Sequence, residues 1–161
     1  MRSLGFNPKE DLIFDLKVIE SCRNCKRFGK VASCPPHCPS MDYFRELLPT
    51  YKYGVLFFDS FLSSPEEWKI KGRESSLCIQ RYLLDFRNKL FNSGVTFVTA
   101  FGSGSCKLCD KCEIPCRFPD KGLVPLEATG LNVIEILKNK GLDISFPVNG
   151  SFYRIGAIFY D

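Results

Sequence analysis

Nine cysteines dominate the chemistry open to this chain, and eight of them fall into two tight groups. Cys106, Cys109, Cys112 and Cys116 are spaced C-x2-C-x2-C-x3-C in the run CKLCDKCEIPC. This is the bacterial-ferredoxin spacing for a 4Fe–4S cluster. Three cysteines two residues apart wrap a loop around a cube, and the fourth comes from slightly farther along. Zinc sites use a pair of cysteines, a long spacer and a second pair, which three closely spaced gaps match poorly. Cys22, Cys25, Cys34 and Cys38 follow C-x2-C-x8-C-x3-C and end in Cys38-Pro39, like the end of the ferredoxin run. A bulge between the second and third ligands absorbs the longer gap. The spacing thus predicts two 4Fe–4S clusters, with zinc at the first site as the alternative, since C-x2-C with a later C-x3-C also holds zinc.

The rest of the composition narrows the setting. A chain of 161 residues, 45% apolar and 25% charged, fills one core and excludes a disordered tail. No linker or low-complexity segment divides it, so one domain over residues 1–161 is expected. No apolar run reaches the roughly 18 residues that a membrane span needs, and the N-terminus lacks the apolar stretch of a secretory signal. A cytoplasmic protein is therefore expected, in which thiols stay reduced and cysteine quartets hold metal more readily than disulfides.

Charge fits the same reading. The formal net charge is +4, and each oxidised cluster with four thiolates carries about −2. Arg23, Lys26, Arg27 and Lys30 sit among the first ligands, where they can steady an anionic cluster or meet an acidic partner; a solvated surface explains each one singly. Without an aromatic-basic ladder, no nucleic acid partner is expected. There is no GxxxxGK[ST] phosphate loop, and the sole histidine, His37, leaves little room for a Ser-His-Asp set. His37 reads as a surface residue or a proton donor at the cluster edge. Cys78 reads as a small core residue. Glu127 is either a carboxylate near the second cluster or ordinary helix-start chemistry.

The elements that must position these groups follow from periodicity. Phe14, Leu16 and Val18 alternate, predicting a strand running into Cys22. Ser40 caps a short helix with Met41, Phe44, Leu47 and Leu48 inward, stopped by Pro49. Tyr53–Phe61 reads as a buried strand. Ser64, Pro65 and Glu67 open a helix whose stripe is Ile79, Leu83, Phe86 and Leu90, ended by Asn92-Ser93-Gly94. Val95–Phe101 is the next strand, making a β-helix-β unit with parallel neighbours. Gly102-Ser103-Gly104-Ser105 then lets backbone approach a cluster closely. Thr129 caps a helix carrying Leu131, Ile134 and Leu137, and Ile144–Tyr160 is a hairpin turning at Asn149-Gly150. The fold class expected is α+β: a mixed sheet of about five strands, helices packed on it, and the cluster loops gathered at one end.

CRNCKRFGKVASCPP, CKLCDKC with PCRFP, and PLEATGLNVIEIL together resemble an uncharacterised family of cysteine-rich predicted metal-binding proteins of anaerobic bacteria and archaea. The resemblance runs from about Cys22 to the last strand. It implies metal or iron–sulfur binding through Cys22, Cys25, Cys34, Cys106, Cys109, Cys112 and Cys116, and it supplies no reaction. In that family pattern the position of Cys38 is often another residue. Eight thiolates would close both clusters and suit electron transfer with a redox partner protein. Seven would leave an open iron at the first cluster for a small-molecule ligand, with His37 or Glu127 handling protons. A structural zinc module is the third reading.

Overall fold

Strands with apolar residues on both faces build the centre of the molecule. In the computed structural model, residues 1–64, 66–144 and 151–161 are described. Strands β1 (Arg2–Phe6), β2 (Tyr53–Leu62), β3 (Val98–Phe101) and β4 (Ser151–Tyr160) form one sheet, in the order β1-β2-β4-β3. Every neighbouring pair is antiparallel. Four helices accompany them: α1 (Leu16–Arg23), α2 (Met41–Leu47), α3 (Trp68–Asn92) and α4 (Val133–Asn139). The class is α+β, as expected. Among the described residues no helix is long and apolar enough to cross a membrane.

The sheet corrects the expected mixed arrangement of about five strands. β2 and β3 do run parallel, but they are not neighbours, because β4 lies between them and pairs antiparallel with both. The reason is the last strand itself: β4 pairs with β2 along its whole length, from Tyr53↔Tyr160 to Leu62↔Ser151. A β-helix-β pattern fixes the sense of its two strands, while the strand that fills the gap comes from far along the chain. Residues 145–150, with the expected Asn149-Gly150 turn and most of the first hairpin arm, lie outside the described residues. β1 was not foreseen; it covers the edge of β2, with Phe6 opposite Gly54.

Alternation along the strands sends side chains to two cores. Leu56, Phe58, Ala157 and Phe159 face α2, α4 and the 126–131 segment, where Phe44, Phe101 and Phe159 meet edge to face. Phe57, Ala100 and Ile158 face α3, packed by Ile79 and Leu83. Gly156 lies under α3, where a Cβ would sit 2.5 Å from Leu83 Cδ1 and 2.8 Å from the Phe101 carbonyl oxygen. Only glycine lets helix and sheet approach that closely.

Two helix starts differ from expectation. The Phe14–Val18 alternation is not a strand. Asp15 caps α1 by accepting from the Lys17 N–H at 2.9 Å, and Leu16 points to solvent. A short apolar-polar alternation is compatible with either period, and the cap decides it. α4 is capped by Asn132, whose side chain accepts from Glu135 N–H, and not by Thr129. Thr129 closes a short 3₁₀ turn, Leu126–Thr129, ended by Gly130 at φ +82°. The expected helix at Ser40 holds, with the Ser40 side chain accepting from Tyr43 N–H. The long helix starts at Trp68, after a turn in which the Glu67 carboxylate accepts from Ser64. Pro65 lies outside the described residues.

Candidate metal centre

The first cysteine loop leaves the end of α1. Cys22 lies in its last turn, and Cys25 follows in a turn closed by its N–H on the Cys22 carbonyl at 3.1 Å. Further turns carry the chain to Cys34 and Cys38, with Val31 and Cys34 buried as anchors. His37 is exposed, and its Nε2 bonds the Gly29 carbonyl at 3.1 Å while Gly29 N–H donates to the Pro35 carbonyl at 2.9 Å. The sole histidine thus staples its own loop.

Cys22, Cys25 and Cys34 line one cavity of about 220 Å³, together with Arg27, Gly104 and Glu127. Cys38 lines the adjoining cavity of about 380 Å³, with Arg23, Pro36 and Met41, which shares Phe28 and Pro35 with the first. It remains near enough for its charge to be felt at Cys22 and Cys34. Among the described residues, no group of three or more Cys, His, Asp and Glu side chains is arranged to hold a metal ion as it stands.

The second loop, 103–123, is tied at its base: Gly102 N–H donates to the Val124 carbonyl, and Leu126 N–H to the Gly102 carbonyl. One stripe of α3 grips it. Arg73 meets the Asp110 carboxylate at 2.8 Å, and Ser76 Oγ donates to the Ser103 carbonyl at 3.4 Å. Buried Gln80 donates to both Cys106 Sγ at 3.3 Å and the Lys121 carbonyl at 2.8 Å. Arg87 donates to the Asp120 carbonyl at 3.0 Å. Positions 73, 76, 80 and 87 fall on one helical face. Cys116 Sγ would lie 3.3 Å from a Cβ placed on Gly122, so this loop also closes tightly on its last cysteine.

The two loops meet. Ala32, between Cys25 and Cys34, donates its N–H to Cys112 Sγ at 3.4 Å across eighty residues of sequence. Gly104 and Ser105, just before Cys106, form part of the wall of the first cysteine cavity. Within the second loop, Lys107 donates to Ser105 Oγ. Burial, then the charges of Arg27 and Arg154, lower its pKa, while the Cys34 and Cys25 thiols act the other way.

Electrostatics suit a cationic guest. Burial pushes the Cys34 thiol up to about 12 and the Cys22 thiol to about 11, with the neighbouring thiols adding to both and Glu127 to Cys22. Cys38 is raised by burial as well. Such thiols keep their protons at neutral pH until a metal displaces them. Among the described residues Ser33 Oγ is buried without a hydrogen-bond partner, yet it lies where it favours the Cys34 thiolate. Backbone and side-chain N–H groups already face three sulfurs: Arg27 N–H on Cys25, Ala32 N–H on Cys112 and Gln80 on Cys106. Cysteine sulfurs with N–H donors aimed at them are a donor set suited to a metal.

Glu127, expected near the second cluster, is nearer the first site than the second. It keeps solvent-accessible surface where two cavities meet, yet protein packs around it closely enough to raise its pKa by desolvation, against backbone N–H groups including Gly104. Gln80, Lys107 and Arg154 were not read from the sequence. The one signal for Gln80 was a polar residue inside an apolar stripe, beside Ile79 and Leu83. Cys78, read as a core residue, is exposed, since it projects from the side of α3 away from the sheet.

A four-stranded antiparallel sheet with two cysteine loops brought against each other defines a cysteine-rich α+β protein with the donor set of a metal centre. The chain belongs to the family described as predicted metal-binding protein (DUF2284), which matches residues 8–160. No curated protein and no solved structure matches it.

Proposed function

We propose that this protein binds two 4Fe–4S clusters, one on Cys22, Cys25, Cys34 and Cys38 and one on Cys106, Cys109, Cys112 and Cys116, and exchanges electrons with a partner redox protein in a reducing, cytoplasmic setting. When bound, such clusters store and pass single electrons. The observation that carries the reading is the contact between the loops: Ala32 N–H on Cys112 Sγ, with Lys107 reaching back toward Cys25 and Cys34. Two ligand sets so close form one path, and N–H donors on the sulfurs favour added negative charge. Arg27 and Lys107 supply fixed positive charge beside the first set.

In a second reading three thiolates, Cys22, Cys25 and Cys34, would hold the first cluster, with Glu127 in the same cavity wall. There Glu127 would hold or release a proton at the open position. Zinc at the first site remains the third reading. Reductive titration under exclusion of oxygen, followed by electron paramagnetic resonance, tests the proposal. Two one-electron steps with mutually broadened signals are expected. A folded, colourless protein that takes up no electrons refutes it.

A further inference from the structure

Beside the cysteine cavity lies a second one, of about 330 Å³, between α1, the 126–134 segment and β4. Its volume falls in the range of small-molecule sites, roughly 300–1,000 Å³. Ser21 and Glu127 line both cavities, so the two are adjacent. Its wall joins the apolar Val18, Leu131, Val133, Ile134 and Ile155 with two opposite charges, Arg154 and Glu127. Arg154 is fixed by Nε on Ser75 Oγ at 3.1 Å and Nη2 on the Gly72 carbonyl at 2.7 Å. Its Nη1 makes no hydrogen bond among the described residues, and it lies 3.7 Å from the place of a Cβ on Gly104. The Glu127 carboxylate is held in turn by Gly104 N–H at 3.2 Å.

Arg154 and Glu127 feel each other's charge, yet among the described residues neither enters an ion pair within 4 Å. Arg154 is partly buried and its guanidinium lies over the Phe152 ring at 5.1 Å, while Glu127 keeps solvent-accessible surface. Separate scaffolds hold the two charges in the wall of one cavity. We propose that this cavity binds a zwitterionic α-amino acid with an apolar side chain. Its carboxylate sits on Arg154 Nη1, its ammonium on Glu127, and its side chain lies among Val18, Leu131, Val133, Ile134 and Ile155. No bond is made or broken in this step. The site stands whatever metal the cysteines hold.

Isothermal titration calorimetry on the full-length protein tests this with L-leucine, L-methionine and L-phenylalanine. 4-Methylpentanoate and 3-methylbutylamine each carry one of the two charges. Saturable binding of one amino acid per chain is expected, with both single-charge analogues at least tenfold weaker. Arg154→Gln lowers affinity at least tenfold. Ile134→Trp, at the partly exposed rim, fills the pocket and does the same while circular dichroism and the melting temperature stay those of the parent. Three results overturn the proposal: none of the three amino acids binds the folded protein, 4-methylpentanoate binds as tightly as leucine, or Ile134→Trp binds as the parent does. Iron and sulfide are counted on the same sample. A colourless protein that still binds leucine refutes the cluster reading and leaves this one standing.

Discussion

Gln80→Met separates the structural from the electronic part of the second site. Methionine matches glutamine in length and helix propensity, so α3 keeps its backbone. The change removes two hydrogen bonds from a buried position: one to the Lys121 carbonyl and one to Cys106 Sγ. Losing the two hydrogen bonds of this buried side chain costs about 1–3 kcal/mol. At about 2–4 °C per kcal/mol for a chain of this size, the melting temperature falls by roughly 2–12 °C. In the proposed cluster the N–H···S bond would hold the more negative, reduced form more strongly, so losing a differential of about 1 kcal/mol, at ~59 mV per 1.4 kcal/mol for one electron, would lower the midpoint by about 40 mV. A potentiometric titration followed by electron paramagnetic resonance reads the shift, and differential scanning calorimetry reads the stability. A stability loss with no change in either midpoint would refute the reasoning, because Gln80 would then serve the Lys121 carbonyl alone.

Other outcomes follow from the same structure. Cys34→Ser removes a buried first-site sulfur and should lose about four irons per chain, while Cys38→Ser keeps them if three thiolates suffice; iron analysis under argon distinguishes the two. Gly156→Ala drives a methyl group into Leu83 and the Phe101 carbonyl and should destabilise by about 1–3 kcal/mol in urea unfolding; a loss below ~0.5 kcal/mol contradicts the packing of α3 on β4. In the metal-free protein the folded thiols of Cys22 and Cys34 hold protons more tightly than the ordinary value of 9.0. Their contribution is therefore complete below about pH 9 and is lost as pH rises toward 11–12, so the urea midpoint should fall between pH 8 and pH 10.5; a rising midpoint contradicts this.

The cysteine spacing grouped eight thiols, but it did not show what surrounds them. C-x2-C-x2-C-x3-C names four sulfurs locally, whereas the bond from Ala32 to Cys112 spans the chain and belongs to the tertiary fold. The strand at Tyr53–Phe61 and the stripe through Ile79 and Leu83 were readable because both bury a face at a fixed period. β4 between β2 and β3 was not, since no local pattern records which distant strand fills a gap. The Phe14–Val18 stretch misled because three alternating apolar residues fit a helix as well, and Asp15 set the outcome. Arg154 was invisible for a further reason: an arginine on a strand gains meaning only when Gly72, Ser75 and Glu127 are seen around it.

The central claim is that sulfurs from two loops enclose inorganic cubes. Iron and acid-labile sulfide analysis on protein purified without air tests it most directly. About eight irons and eight sulfides per chain, with a brown colour, are expected. A well-folded chain containing zinc or no metal, and no labile sulfide, contradicts it.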